Sequence, residues 1–406
     1  MDSCYDYYKK NTLNKMRLAL QFSYILIGLS YSFLLLNKIY FGISLLTGII
    51  LMMILNRPNK ICFHFSNTKI NYFFYTFLFF LSCSTFNSII FARSISVAIY
   101  LILFILLGLN LFFYIQKKPE VFEKIINILI ISIILNILII FLYYLINFET
   151  YTLRFKGILN IITILVLILT FFRNKLYLYL PIIFLIPSLI LSDSNAPLLG
   201  ILCGLFLNLF FFFTNKIQFF KKTAVFSLFT FFFVFSFYNL NNLPTKFDEE
   251  SINNIEFKIP TSLIDPHRQF IWGFSLEKFK NNPLFGYGAD TSNFIDDSQK
   301  IIGHQATGDM TFIPSHPHNF FIEILLELGI LGFFSFILFI FFVNYEIFKK
   351  ANNREKFYLI FFNGYFWGSS LVNFSFWLGW WQGSYFFILS LIATQIFLTK
   401  KDYKNS

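Results

Sequence analysis

Apolar runs recur almost from one end of the chain to the other, and they constrain its fold more than any other feature. A helix needs about 20 residues, rising about 1.5 Å each, to cross roughly 30 Å of hydrocarbon. Twelve such runs can be counted, with approximate limits Leu18 to Leu36, Ile39 to Leu55, Ile70 to Ala92, Ile95 to Ile115, Ile125 to Ile146 and Ile158 to Phe172 in the first half. The second half continues with Leu176 to Leu191, Pro197 to Phe213, Ala224 to Leu240, Asn319 to Val343, Phe357 to Phe376 and Trp381 to Leu398. The sixth and seventh are short and only the turn WLGWW separates the last pair, so ten or eleven is also compatible. Of 406 residues, 57% are hydrophobic, 13% are charged and 62 are phenylalanine. A soluble core could not absorb that much apolar surface. The expected fold is therefore an all-α polytopic membrane protein of about 12 transmembrane helices. Its expected parts are an N-terminal bundle of about nine helices over 1–240, a long polar loop with helical segments over 241–318, and a C-terminal bundle of about three helices over 319–406.

The net charge of +11 raises the question of nucleic acid, but no basic stripe interleaved with aromatics lies outside the short loops. Topology accounts for the charge instead. With the N-terminus inside, 22 of the 32 basic residues fall on inner segments, and six of the other ten lie in the long loop, which the positive-inside rule largely ignores. Both termini are then expected in the cytoplasm, and the 78-residue loop is expected on the periplasmic or extracellular side. The N-terminal stretch MDSCYDYYKKNTLNKMR has no cleavage site and is expected to remain as a cytoplasmic tail. Cys4, Cys62, Cys83 and Cys203 are scattered and share no metal-ligand spacing with histidines, so neither a disulfide nor a structural zinc is expected.

The stretch Ser315 to Gly332 reads SHPHNFFIEILLELGILG. Here the long loop ends, two histidines flank a proline, and an apolar helix starts and runs to about Val343. Pro317 fits the first turn of that helix, where its missing N–H costs nothing, which would place His318 at the loop-to-membrane boundary. At about 100° per residue, Gly329 and Gly332 fall about 20° and 40° from His318. All three then share a face small enough for a second helix to approach. His318 reads either as a snorkelling side chain at a helix end or as a base that titrates near neutral pH at the membrane surface. His316 could orient His318, contact substrate or simply be solvated. His267 and His304 are given no chemical role, and His64 falls on the opposite side of the membrane. Glu323 and Glu327 lie one turn apart, roughly opposite the glycine face. An intramembrane carboxylate is costly and often functional; otherwise Glu323 stays at the interface and Glu327 pairs with a polar side chain on a neighbouring helix. Trp377, Trp380 and Trp381 read as an interfacial aromatic belt.

In the second part of the long loop, Asp265 and Pro266 open a helix as N-cap and first residue. Arg268, Ile271, Trp272, Ser275, Leu276 and Phe279 share one of its faces. An arginine in a first turn is misplaced for the helix dipole. It fits either an anion docked at the free N–H groups or a pair with a loop carboxylate such as Asp290. The Gly/Pro turn NNPLFGYG ends the helix.

The arrangement His318-Asn319, nine residues, Gly329, two residues, Gly332 resembles the signature of the O-antigen ligase and O-antigen polymerase family of bacterial inner membranes. Arg268 followed four residues later by Trp272, and then by Pro-Leu-Phe-Gly-Tyr-Gly, resembles the periplasmic loop of the same family. Arg154 and Gly157 in YTLRFKGILN resemble its Arg-x-x-Gly turn. In SDSNAP, Ser192 to Pro197, Asn195 stands where many members have an arginine, so Arg93, Lys156 or another cation would substitute. The likeness covers roughly Arg154 to Gly332. It implies transfer of a glycan from an undecaprenyl pyrophosphate carrier to an acceptor sugar, without nucleotide or metal. The implied partners are that carrier, a lipid A core or growing glycan as acceptor, and membrane lipids, with no nucleic acid. By the same likeness Arg154 and Arg268 would hold the pyrophosphate, and His318, with Arg268, would act in the chemistry. His316, Arg93, Lys156 and Glu323 would be auxiliary, and Asn319, Gly329 and Gly332 would shape the motif. A single large outer loop, with only a minimal outer turn at Phe148 to Gly157, favours ligase over polymerase. A flippase or other transporter should show internal repeats and polar groups near the midplane, and neither is clear.

This topology predicts that reporter fusions at Lys118, Lys222 and Lys350 read cytoplasmic and those at Asn254 and Ser298 read periplasmic. A cytoplasmic signal from Asn254 would overturn the expected orientation of the loop.

Overall fold

The computed structural model describes residues 2–56, 62–147, 155–173, 175–192, 194–216, 242–245, 247, 252, 254–262, 264–372 and 374–405. Among these the protein is all-α, with one isolated antiparallel bridge between Ile301 and Thr311. The helices are α1 (Asp2–Gly28), α2 (Ser30–Leu36), α3 (Lys38–Asn56), α4 (Thr68–Phe86), α5 (Phe91–Ile115), α6 (Pro119–Ile146), α7 (Lys156–Phe172), α8 (Leu180–Leu191) and α9 (Asn195–Lys216). The long loop contributes α10 (Pro266–Asn281), and the C-terminal part holds α11 (Phe320–Lys350), α12 (Asn353–Ser369) and α13 (Gly379–Asn405).

Six of these, α3, α5, α6, α9, α11 and α13, are long and apolar enough to cross a membrane. The expected first span is a pair, α1 and α2, bent by 58° at Leu29, and would be a seventh crossing. The expected third, sixth, seventh and eleventh spans correspond to α4, α7, α8 and α12, which are shorter or more polar. The expected ninth span, Ala224 to Leu240, lies outside the described residues.

Helix ends follow local chemistry. Asn67 caps α4 by accepting from the Lys69 N–H at 2.8 Å, and Asn352 with Glu355 forms a reciprocal capping box on α12. Two cores result. One runs through the bundle and includes Phe77, Ile133, Ile162, Phe336, Tyr365 and Ile392. The other belongs to the long loop: Phe270, Ile271, Trp272, Phe274, Phe312 and Ile313 close over Ile322 and Leu326 of α11. The loop is thus a packed cap on the start of α11. Its helix α10 begins as expected, with Asp265 accepting from the Arg268 N–H at 3.0 Å. Its buried surface is wider than a single stripe, however, because every residue from Gln269 to Ser275 is buried.

Two expectations about α11 are corrected. Pro317 is not in its first turn: the helix starts at Phe320, and Asn319 is the N-cap, accepting from Phe321 N at 3.0 Å and Ile322 N at 3.3 Å. Nor does α11 run on unbroken. Gly329 has φ 67° and ψ −178°, a region essentially open only to glycine, and the helix is kinked there. The rotation that would put His318, Gly329 and Gly332 on one face therefore stops at the break. What approaches Gly329 is the 283–288 loop rather than a second helix. Leu326 carbonyl and Ile330 N–H would bond each other in a continuous helix. Instead Leu326 O accepts from Tyr287 N at 3.2 Å, and Ile330 N donates to Pro283 O at 2.8 Å. The Glu327 carbonyl takes Gly288 N at 2.9 Å and Ser84 Oγ at 2.7 Å. The backbones meet so closely that a Cβ on Gly329 would lie 2.3 Å from the Leu284 carbonyl, and one on Gly286 would lie 2.4 Å from that of Glu327.

Gly329→Ala should therefore lower the apparent melting temperature of the purified protein well below that of Gly303→Ala. Both glycines have positive φ, costing roughly 1–3 kcal/mol each for alanine, but a Cβ at Gly303 meets nothing within 4 Å. Equal melting temperatures for the two variants would show that the loop does not lock the break.

Candidate functional site

The histidine pair stands where the loop cap meets α11. Trp272, buried on α10, donates its indole N–H to the Pro317 carbonyl at 2.9 Å and so grips the His-Pro-His turn from one side. From the other side, Phe320 N donates to Ser370 O at 3.1 Å and fixes the first residue of α11. Between these anchors His318 takes a left-handed backbone, φ 55°, and its ring lies 4.1 Å from that of His316, centroid to centroid. His316 Nδ1 bonds Ser315 Oγ at 2.9 Å. Both imidazoles are partly exposed.

Cations gather beside them. Arg93, at the start of α5, donates through Nε to the Asp290 carbonyl at 2.6 Å and to its carboxylate at 2.9 Å. Its guanidinium also lies over the Phe294 ring, 5.0 Å from the centroid. Asp290, another left-handed residue at φ 58°, sits close enough to feel the charge of His316 as well as that of Arg93. Burial pushes its carboxyl above the usual range, against the pull of both partners. Arg268 pairs with its own N-cap, Asp265, at 3.0 Å, and its side chain is 39% exposed. One turn further along α10 is Trp272, so Arg268 shares a face with the residue that holds Pro317. Of the two readings of Arg268, a pair with a loop carboxylate is present, but the carboxylate is Asp265; Asp290 belongs to Arg93.

Beneath this cluster lie two fully buried carboxylates. Glu327 accepts four hydrogen bonds. Its Oε1 takes Thr291 N at 3.1 Å and Ser292 N at 2.9 Å, and its Oε2 takes Asp290 N at 2.7 Å and the Trp377 indole N–H. Glu323 accepts from Ser375 Oγ at 2.5 Å and Phe376 N at 2.7 Å. Glu323 is therefore not at the interface, and Glu327 is held by a loop backbone and an indole rather than by a polar side chain of a neighbouring span. Trp377, Trp380 and Trp381 are likewise buried, not an interfacial belt. Their turn is aimed inward because it carries donors to the two glutamates, and Trp381 also bonds Ser370 Oγ at 3.0 Å.

The structure thus brings together His316, His318, Arg93 and Asp290, with Arg268 one turn from their anchor. Arg154 lies outside the described residues. Lys156 opens α7, where Gly157 packs on Phe374, a Cβ there falling 3.1 Å from its ring. Asn195 opens α9. Sequence reasoning missed the turn 290–292 and the Ser375 to Trp377 segment as partners of the carboxylates. The available signal was two glutamates in an apolar run, which require donors from somewhere. Among the described residues, no group of histidine, cysteine, aspartate and glutamate could hold a metal ion.

Glu327→Gln tests the role of the buried acceptor. Whichever way the amide turns, its NH₂ would face two N–H donors, a loss of roughly 1–3 kcal/mol. The variant should melt lower than wild type and show altered Trp377 fluorescence. Unchanged melting would remove Glu327 from any part in holding the 290–292 turn.

Residues 180–337 match the family model described as O-Antigen ligase. The chain is similar to proteins named "Putative polysaccharide ligase": 29% identical over 221 residues to that of Rickettsia prowazekii (strain Madrid E), and 30% over 242 residues to that of Rickettsia typhi (strain ATCC VR-144 / Wilmington). These matches cover 54% and 58% of this chain, and the chain spans about half the length of each relative, 51% and 56%. No solved structure matches it. The matched segment contains α10, the 283–288 loop, the histidine turn and the broken start of α11, and it is through this segment that the chain is similar to the O-antigen ligase family.

Proposed function

We propose that the protein is a glycan transferase of the ligase type, moving a glycan from undecaprenyl pyrophosphate to a lipid A core acceptor at the periplasmic face of the bacterial inner membrane. The observation that carries this reading is the contact of His318 with His316, whose charge in turn reaches the Asp290–Arg93 pair where the loop cap meets α11. In the proposed step an acceptor hydroxyl oxygen attacks the anomeric carbon and its proton passes to His318. The bond from that carbon to the pyrophosphate oxygen breaks, and the carrier leaves with the electron pair. Arg268 and Arg154, with Arg93 as auxiliary, take up the developing negative charge; a planar fork suits this better than a point charge. No metal or nucleotide enters the step, and attack from the opposite face would invert the anomeric configuration. The left-handed backbone of His318 costs on the order of 1–3 kcal/mol, a strain that persists when surrounding structure over-determines it, as is common at functional sites. Trp272 and Asn319 provide that support.

The test is His318→Asn, because asparagine tolerates the left-handed backbone and lacks the base. Transfer should fall by about a hundredfold to ten-thousandfold while the protein still inserts and binds carrier. Wild-type activity should rise with pH between about 5 and 8 as the imidazole loses its proton, and the variant should lack that rise. An unchanged rate and pH profile would overturn the assignment. A deletion strain separates the classes: core lacking polymer while carrier-linked polymer accumulates supports ligase, and core capped by a single repeat supports the rival, polymerase.

A further inference from the structure

The ends of α4, α5, α11 and α13 remote from His318 enclose a cavity of about 140 Å³. Its wall is apolar, with Phe112, Phe339, Ile347, Leu389, Ala393 and Phe397 contributing. Its inner end closes where α5 touches α13: a Cβ on Gly108 would lie 3.2 Å from the Phe386 carbonyl oxygen. Its outer end is polar, formed by Asn67, Glu346 and Lys350. Lys350 is the last residue of the 31-residue α11, so at about 1.5 Å per residue this mouth lies roughly 45 Å along the helix from the histidine turn, at the other membrane face.

The charge at the mouth is unbalanced. Glu346 is already occupied, accepting from Lys349 Nζ at 2.5 Å and Asn67 Nδ2 at 2.6 Å. Lys350 Nζ lies over the Phe397 ring, 4.1 Å from its centroid, and among the described residues no carboxylate forms an ion pair with it. Glu346 attracts it, but Lys400 and Lys349 both act on it as like charges. Among the described residues, Lys349, Lys350 and Lys400 thus share Glu346 at the entrance to an apolar cavity in the plane of a membrane leaflet. A lone anion would leave the apolar wall unused, and a neutral hydrocarbon would leave the lysines unneutralised.

We propose that this cavity is a binding site for an anionic phospholipid of that leaflet, one acyl chain lying between α5, α11 and α13 and the headgroup phosphate at Lys350. The lipid would fill the junction of these helices at the face opposite the histidine turn, and the proposal does not depend on the transfer reaction.

The experiment is photolabelling of the full chain in phosphatidylcholine nanodiscs containing a trace of phosphatidylglycerol with a diazirine on one acyl chain. A diazirine phosphatidylcholine serves as the comparison probe. Labels should concentrate on the cavity segments of α5, α11 and α13, and the anionic probe should label more than the zwitterionic one. Lys350→Glu should reduce labelling by the anionic probe about fivefold or more, as expected for loss of one lysine at an anionic headgroup. Ala393→Phe, which fills the cavity, should reduce labelling by both probes. Should Ala393→Phe not elute as a folded species on size exclusion, wild type against Lys350→Glu decides alone. Equal labelling by the two probes, labels spread evenly over the lipid-facing helices, no effect of Lys350→Glu, or displacement of the probe by a polyprenyl phosphate would each overturn the proposal.

Discussion

The break in α11 at Gly329 is where the membrane bundle and the loop cap become one structure. A helix interrupted within an apolar span leaves backbone groups that the hydrocarbon cannot satisfy, at several kcal/mol each. Here the Leu326 carbonyl, the Glu327 carbonyl and the Ile330 N–H are all taken up by Pro283, Tyr287 and Gly288. The loop therefore cannot leave without exposing the break, and the break cannot heal without expelling the loop. Glycines at both contact points make the approach possible. At Gly288 a side chain would also run into Ser88, between α4 and α5, so the loop is wedged against three helices at once.

The buried carboxylates extend the same lock. A charge in a dry interior is tolerated when hydrogen bonds replace its hydration. Glu327 finds four donors without any cation, three of them successive N–H groups at the turn that opens the 3-10 segment Ser292–Phe294. Holding that turn fixes Asp290, and Asp290 in turn orients Arg93. Glu323 reaches the Ser375 to Trp377 turn, so the two glutamates tie the C-terminal helices to the loop cap.

Above this buried floor, the groups of the proposed site keep some exposure. His316 and His318 are only partly buried, and Arg93 and Arg268 have side chains about 40% exposed. The left-handed backbones of His318 and Asp290 are held by bonds from buried neighbours, the Trp272 indole at Pro317 and the Glu327 carboxylate at Asp290 N. Precision thus comes from buried parts and access from the exposed ones, the division expected for a site built on rigid elements.

By itself the sequence determined the fold class. Of the two structures that satisfy the backbone internally in lipid, continuous apolar runs of about 20 residues fit packed helices and not the alternating strands of about 10 residues that build a barrel. It also marked the cap of α10 at Asp265, the Gly/Pro turn after it, and the family likeness carried by His318-Asn319 and Gly329-x-x-Gly332, since each depends on neighbours a few residues away. The tertiary structure alone decided the rest. Helical rotation extrapolated from His318 to Gly332 fails at Gly329 because a conformation open only to glycine is invisible in spacing. The pairing of Arg93 with Asp290, and of Glu327 with a turn 35 to 37 residues away, joins segments whose separation carries no local signal. Trp377, Trp380 and Trp381 were read as an interface because tryptophan prefers one. They are buried because, in this packing, the indoles of Trp377 and Trp381 meet the buried acceptors Glu327 and Ser370.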